Sequence, residues 1–338
     1  MRFMRASRSE QTLPDLNEID AARKRLRGRI VATPILPLTT DRLTDALPDG
    51  ASVYMKMELF QQAGSFKSRG VLLGIDAMTP EQRAAGVIAS SGGNHALAVA
   101  WAANAAGIDA LIIMPEAADP QTVERVAAMG ATIQRTPGSA TNLALLDEMT
   151  AQTGRTKLHP FEAPHMLLGA ATCGYEIVCA HPDLDAMIVP VGGGGLLAGI
   201  SRAVKLFSPA CQVIGVEPDG AAGMTRSVEV GSPQTLSEVN TVAVSLAASR
   251  AEPLTFSAVK AHVDRMITLP DSALIEAMRR MNRDLSLMVE PACAASFAAL
   301  TGPLRDELAG KRVGIIACGS NIGRVGYSRI IEAADAAT

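Results

Sequence analysis

Short apolar runs alternate with longer amphipathic runs along most of the chain. Residues 16–30 place Leu16, Ile19, Leu26 and Ile30 at helical spacing and predict a first helix. A strand is expected at 52–59, then a glycine-containing loop at 61–65 and a helix from about Phe66. Further strands are expected at 86–89, 110–114, 131–135, 156–159, 186–191, 212–216 and 312–318, and helical runs between them include 95–106 and 121–129. This alternation predicts an α/β fold with parallel sheets, helices on both faces and ligands at the carboxyl ends of the strands.

The composition points to a small-molecule partner. The 338 residues exceed what one core usually organises, so two lobes are expected. The formal charge of -3 argues against a nucleic-acid binder, and the basic cluster at 23–29 is interpreted as a solvated helix face. No apolar run is long enough to cross a membrane, and the five cysteines contain no CxxC pair. We therefore expect a cytoplasmic protein with reduced thiols and neither nucleic-acid nor membrane partners.

Three predicted strand-to-helix junctions are rich in Gly, Ser and Asn. In the first, residues 62–70, Lys67 lies just inside a helix, where the positive end of the dipole favours a neutral, nucleophilic amine over an ordinary surface charge. In the second, residues 89–96, backbone N–H groups of a helix start could hold a carboxylate, although an ordinary N-cap is the alternative.

The third junction carries four consecutive glycines, 192–195, between an apolar strand and an apolar helix. Such a loop indicates close approach of main chain to a ligand, most often phosphate, whereas a merely flexible turn is the alternative. The loop is neither a Walker A motif nor a GxGxxG fingerprint. An imine-forming lysine, an anion-binding loop and a phosphate cradle together favour pyridoxal 5'-phosphate.

Five ordered motifs then carry a family resemblance. They are GSFKSRG at 64–70, SGGNH at 91–95, GGGG at 192–195, VEPA at 289–292 and CGSN at 318–321. The chain resembles the fold-type II pyridoxal-phosphate enzymes, which are tryptophan synthase β-like in fold, and within them the threonine/serine dehydratase and serine racemase branch. The resemblance covers almost the whole chain and implies two α/β lobes with twisted parallel sheets flanked by helices. The large cofactor-binding domain would be 1–76 with 164–338, and the small domain 77–163.

The resemblance also implies residue roles. Lys67 would be the Schiff-base lysine and the base at the substrate α-carbon. Asn94 would pair with the 3'-oxygen of the cofactor ring, and Glu290 lies in a matching motif with a less defined role. The remaining expected cofactor contacts are Phe66, Gly192, Gly193, Gly194, Gly195, Leu196 and Cys318. The expected substrate-carboxylate contacts are Ser91, Gly92, Gly93, Asn94 and His95.

Two departures from the family pattern bear on the reaction. Cys318 stands where the branch usually has the Ser that contacts the pyridine nitrogen. A protonated thiol carries no charge, which favours elimination over transamination; the alternative is an inert cysteine with Ser320 making that contact. Gly92 stands where racemising relatives carry a second Ser, so a dehydratase is preferred to a racemase.

A divalent cation is a doubtful cofactor. The branch binds one with a Glu that matches Glu217 and an Asp that matches about Gly223, so half of the carboxylate pair is missing, and a plain hydrogen-bonding Glu is the alternative. The histidines outside the motifs, at 159, 165, 181 and 262, fit no ligand pattern and are interpreted as structural or exposed.

The sequence therefore predicts a lyase, namely a pyridoxal-phosphate-dependent ammonia-lyase that converts an L-3-hydroxy amino acid such as threonine or serine to a 2-oxo acid and ammonia. A racemase and a non-catalytic cofactor-binding paralogue remain the alternatives. Residues 137–143 hold no basic group that could bind a second substrate carboxylate, and serine, threonine and bulkier substrates all stay open. A homodimer is expected from the resemblance alone.

Overall fold

The computed structural model describes residues 13–336, except for the side chains of 139–141 and 143. Its helices are α1 Leu16–Leu26, α2 Lys67–Asp76, α3 Pro80–Ala85, α4 Asn94–Ala106, α5 Pro120–Ala128, α6 Ser139–Thr153, α7 Pro164–Ala180, α8 Gly195–Phe207, α9 Gly223–Val230, α10 Pro253–His262, α11 Asp271–Leu285, α12 Pro291–Thr301 and α13 Arg324–Asp335. Its strands are β1 Ile35–Pro37, β2 Ser52–Lys56, β3 Val87–Ser90, β4 Ala110–Pro115, β5 Thr132–Thr136, β6 Thr156–Lys157, β7 Ala186–Pro190, β8 Gln212–Pro218, β9 Arg265–Leu269 and β10 Arg312–Ile316.

The strands form two sheets. The six-stranded sheet has the order β1-β2-β10-β7-β8-β9, and all its pairings are parallel except that of the edge strand β1 with β2. The four-stranded sheet, β5-β4-β3-β6, is parallel throughout. Strand β7 is buried along its whole length, as expected of a central strand that helices cover on both faces. The α/β class with parallel-rich, helix-flanked sheets is thus confirmed, whereas the domain boundaries at 76/77 and 163/164 stay a prediction.

Several predicted bounds are wrong. Helix α1 ends at Leu26 and not at Ile30, because Gly28 adopts a φ of +74° and turns the chain. The strand predicted for 52–59 ends at Lys56 and gives way to a short 3₁₀ turn, Glu58–Phe60. The strands predicted to reach 159 and 318 also stop short, at Lys157 and Ile316. The short strands β1 and β9 carry no strong apolar alternation and were not predicted.

A buried ion cluster anchors helix α2, which begins at Lys67. Arg69 has no exposed surface and makes two hydrogen bonds to Glu58, of 2.8 and 2.9 Å, and two to Glu176, both 2.8 Å. Lys56 on β2 bonds to the same Glu176 at 2.7 Å. Because each buried charge has a partner of opposite sign, the cluster holds α2 against α7 and the six-stranded sheet and leaves no unpaired charge among these residues. None of the described helices is long and apolar enough to cross a membrane.

Candidate active site

The glycine-rich junctions lie at the carboxyl ends of parallel strands, and contacts between them bring the motifs together. Residues 91–95 follow β3, the four glycines follow β7, and Cys318 follows β10. The segment before α2 joins them, since Phe66 donates its N–H to the carbonyl of Cys318 at 3.1 Å and Ser65 forms a β-bridge with Gly319. These junctions form the edge where parallel α/β sheets bind ligands.

Lys67 occupies the first position of α2 with its amine in contact with a main-chain carbonyl. Nζ donates to the carbonyl oxygen of Pro160 at 2.5 Å and lies 5.1 Å from the ring centre of Phe66. Desolvation lowers the pKa of Lys67 to about 8. At pH 7 roughly a tenth of the side chain is therefore the neutral amine, far more than for an ordinary lysine, and a nucleophile or a base requires that neutral form.

The tetraglycine loop is closely packed by the protein itself. A Cβ at Gly193 would lie 2.3 Å from the ring of Phe161, and one at Gly192 would lie 2.9 Å from the Cα of Leu246. Gly194 has a φ of +86°, which favours glycine, and caps α8 without a side-chain hydrogen bond. The first N–H groups of α8, including that of Leu196, therefore remain available for an anion.

The start of α4 offers a second set of main-chain donors. Its N-cap is Gly93, again without a side-chain cap, and Ser91 Oγ accepts the N–H of Gly93 at 3.2 Å. The ring of His95 is buried, and its Nε2 lies 2.9 Å from the carbonyl of Leu158. Burial lowers the pKa of His95 to about 3, so the ring is neutral and donates to that carbonyl. Only the main-chain N–H of His95 is left for a substrate carboxylate.

Asn94 lies at the centre of a hydrogen-bond network. Its Nδ2 donates to Glu290 Oε1 at 2.7 Å and to Ser245 Oγ at 3.3 Å, while its Oδ1 accepts from Asn321 Nδ2 at 2.6 Å. Glu290 is the N-cap of α12, and burial raises the pKa of its carboxyl to about 7. The amide of Asn94 is thus held on both sides by residues that lie some 200 positions away.

Cys318 is buried beside a second thiol. Its Sγ lies 3.7 Å from the carbonyl oxygen of Ala292, to which it donates. A hydrogen bond with Cys293 and burial raise the pKa of the Cys318 thiol well above its usual range. The thiol is therefore protonated and uncharged. Ser320, its predicted alternative, directs its hydroxyl to the carbonyl of Met288 at 3.1 Å.

The structure gives Glu217 a role other than the metal ligand considered above. Its two carboxylate oxygens accept from the N–H groups of Met224 and Thr225 at 2.9 and 2.7 Å and from Thr225 Oγ1 at 2.6 Å, so it caps the first turn of α9. Within residues 13–336 no group of three or more His, Cys, Asp or Glu is placed to hold a metal ion. Gly223, which stands where the family branch carries its second carboxylate, is the first residue of that helix.

The segment 158–162, which follows β6, was missed by sequence reasoning. Pro160 accepts the Lys67 amine, Phe161 packs on Gly193 and Gly195, and Glu162 caps α10 by accepting the N–H groups of residues 254 and 255. His159 Nδ1 accepts the N–H of Glu162 at 2.8 Å, and burial lowers the pKa of His159 to about 4. The available signal was an aromatic and an acidic residue after His-Pro, at the end of the fifth predicted strand.

Comparison with known proteins shows the family. The model of the pyridoxal-phosphate dependent enzyme family matches residues 26–319, and the chain belongs to this family. It is 42% identical to phenylserine dehydratase of Ralstonia pickettii over 94% of this chain and 96% of that protein. It is 33% identical to L-threo-3-hydroxyaspartate ammonia-lyase of Saccharomyces cerevisiae over 95% and 97% of the two chains. Maize serine racemase has a TM-score of 0.87 at 31% identity, covering 96% and 98% of the chains.

The residues present fit pyridoxal 5'-phosphate. A desolvated lysine amine suits its aldehyde, and an uncapped helix start after a glycine loop suits its phosphate. Ser65 Oγ is buried and has no partner among the described residues, so the site keeps one further polar group for a ligand. The predictions of fold-type II, of pyridoxal phosphate and of a lyase are confirmed. The roles of single site residues stay predictions.

Proposed function

We propose that this protein is an ammonia-lyase for L-3-hydroxy amino acids with an apolar, preferably aryl, side chain. The observation that carries the proposal is the desolvated Lys67 amine, which lies among the carboxyl ends of the strands with one carbonyl partner at 2.5 Å. The sequence similarity to a phenylserine dehydratase and to a hydroxyaspartate ammonia-lyase supports the reaction class.

Different residues of this chain are assigned different steps of the proposed reaction. Pyridoxal phosphate, when bound, supplies the electron sink that makes the α-proton of an amino acid removable. The uncapped N–H groups at the start of α8 would hold its phosphate, and those at the start of α4 would hold the substrate carboxylate. Lys67 Nζ takes the proton from the α-carbon as its C–H bond breaks. Cys318, which the family resemblance places beside the ring nitrogen, is an uncharged thiol, so that nitrogen would have no negative partner, which favours loss of the β-hydroxyl.

The overall reaction balances without an oxidant. The β-hydroxyl leaves as water when the α-proton is removed, and hydrolysis of the resulting enamine consumes one water. The products are one 2-oxo acid and one ammonia. Gly92 carries no side chain that could deliver a proton to the opposite face, and a Cβ there would lie 3.1 Å from Pro115 and 3.2 Å from Ala118. Elimination is therefore favoured over racemisation.

The preference for an apolar substrate rests on the segment that covers the glycine loop. Ser245 contacts Asn94, and Leu246 packs on Gly192, so this segment lies at the site. The neighbouring Val244 is 81% exposed. Residues 137–143 bring no basic group, and the Arg125 guanidinium already donates to Asn321 at 2.7 Å. We propose that Val244 contacts the substrate side chain, and an apolar contact there favours an apolar substrate side chain over a second carboxylate.

Purified holoenzyme should be tested with L-threo-3-phenylserine, L-threonine, L-serine and L-threo-3-hydroxyaspartate, with 2-oxo acid and ammonia measured. Burial of a phenyl ring predicts a kcat/KM for phenylserine roughly 10- to 100-fold above that for serine. Val244→Asp should reduce that ratio, while Val230→Asp, a change at an exposed valine on α9, should not. Preference for hydroxyaspartate would refute the substrate proposal, and formation of the opposite enantiomer without 2-oxo acid would refute the lyase.

Lys67→Ala tests the proposed base. Loss of the proton acceptor should lower kcat by at least about 10³-fold. It should also abolish the visible absorbance band of the lysine-bound cofactor. Lys157→Ala is the matched control, because Lys157 is an exposed lysine paired with Asp147. A Lys67→Ala protein with wild-type turnover would contradict the mechanism.

The proposal also includes a cytoplasmic homodimer. All five cysteines are free, which suits a reducing compartment, and the homodimer is proposed from the family resemblance alone. Light scattering of the purified protein tests the dimer: a mass near twice 35.2 kDa is expected, and a monomer mass would remove this part of the proposal.

A further inference from the structure

Arg125 lies outside the five motifs, yet its side chain reaches the site. It belongs to α5, which packs beside the four-stranded sheet. Its Nη1 donates to Oδ1 of Asn321 at 2.7 Å, and Asn321 lies in the loop after β10 of the other sheet. The contact joins two residues that are 196 positions apart.

A chain of hydrogen bonds continues from this contact to the centre of the site. Asn321 Nδ2 donates to Asn94 Oδ1 at 2.6 Å and to the carbonyl of Ala63 at 2.9 Å. Asn94 Nδ2 then donates to Glu290 Oε1 at 2.7 Å. Each link from Arg125 to Glu290 thus runs in one direction, from donor to acceptor.

The chemistry of the end groups sets this direction. A guanidinium only donates and a main-chain carbonyl only accepts. Arg125 and the carbonyl of Ala63 therefore turn the Asn321 amide so that its oxygen faces α5 and its nitrogen faces Asn94. Asn94 must then present its oxygen to Asn321 and its nitrogen to Glu290. One N–H of Asn94 Nδ2 donates to Glu290, and the other makes only a longer contact, 3.3 Å, to Ser245 Oγ. This second N–H can therefore more easily exchange its present acceptor for a ligand.

We infer that Arg125 is a positioning residue that acts through Asn321 to hold the Asn94 amide with its nitrogen toward the cofactor. The inference needs the family's cofactor but no particular substrate. In a purely structural role, Arg125 would only link α5 to the loop after β10, as a structural tie. Other contacts already link these two segments, since Gln121 of the same helix packs directly on Gly323.

The first test measures the affinity of the apoprotein for pyridoxal phosphate by absorbance titration. Loss of one charge-assisted but exposed hydrogen bond in Arg125→Ala predicts affinity roughly threefold to tenfold lower. A shifted absorption band of the bound cofactor is also expected, and Arg125→Lys should restore part of both effects. Arg135→Ala is the matched control, because Arg135 also donates to an uncharged acceptor, the main-chain carbonyl oxygen of Glu116, at 2.7 Å. Equal behaviour of the two alanine variants would overturn the inference.

The second test separates positioning from a structural tie. Asn321→Asp keeps an oxygen for Arg125 and strengthens that contact, but it has no N–H for Asn94. The positioning role predicts that Asn321→Asp weakens cofactor binding at least as much as Arg125→Ala, and wild-type affinity in Asn321→Asp would overturn the inference. In an Asn94→Ala background, Arg125→Ala should change the affinity no further. A loss of the same size in that background would overturn the inference, and none of these readouts depends on which substrate is turned over.

Discussion

Replacement of Gly193 by alanine tests how the glycine loop is built. The added Cβ would lie 2.3–2.4 Å from three carbons of the Phe161 ring, whereas carbon atoms in contact prefer about 3.5 Å or more. The ring or the loop must therefore move by more than about 1 Å. The ring has little freedom, because it packs at 4.7 Å against His159 and its main chain lies against Gly195.

The size of the effect follows from that overlap. Overpacking of this kind typically costs about 1–3 kcal/mol, which corresponds to a loss of roughly 1–4 °C in melting temperature for a protein of this size. Displacement of the loop also misplaces its N–H groups. Because hydrogen bonds to charged groups contribute about 1.5–3 kcal/mol each, cofactor affinity should fall by at least about tenfold.

Thermal unfolding of the apoprotein and cofactor titration measure the two effects. Gly138→Ala is the control, because among the described residues no atom beyond its chain neighbours lies within 4 Å of the Cβ position, and the backbone there is extended. The double variant Gly193→Ala with Phe161→Ala should lose less stability than the sum of the two single losses, since the ring that causes the clash is gone. The reasoning fails if Gly193→Ala matches Gly138→Ala in both assays.

Three further outcomes are expected. Burial raises the pKa of the Glu290 carboxyl to about 7, so the stability that its protonated form contributes is present below pH 4.5 and is lost as pH rises through 7. The free energy of unfolding in urea should therefore fall by about 3 kcal/mol between pH 4 and pH 8, and Glu290→Gln should remove this pH dependence. Glu58→Ala leaves Arg69 short of a buried partner and should cost about 3–5 kcal/mol, and an unchanged urea midpoint would contradict this. Gly92→Ser should introduce formation of the D-enantiomer from an L-substrate, measured by chiral chromatography, because a hydroxyl could deliver a proton to the face opposite Lys67; absence of the D-enantiomer would argue against a role for this position in proton delivery.

The sequence by itself determined the alternation of strands and helices and the local chemistry of the junctions. Apolar runs bounded by glycines predict buried strands because burial and turn geometry act over a few residues. The dipole at a helix start and the conformational freedom of glycine are equally local, so Lys67 and the loop 192–195 could be singled out as candidates. Weakly patterned strands such as β1 and β9 escaped because pairing with neighbours, and not their own pattern, makes them strands.

Only the tertiary structure decided which distant residues meet at the site. Phe161 packs on the glycine loop, and Arg125 reaches Asn94 through Asn321, over separations that leave no periodic trace in the sequence. Hydrogen-bond direction and close packing act through space, so they become visible only when the chain is folded.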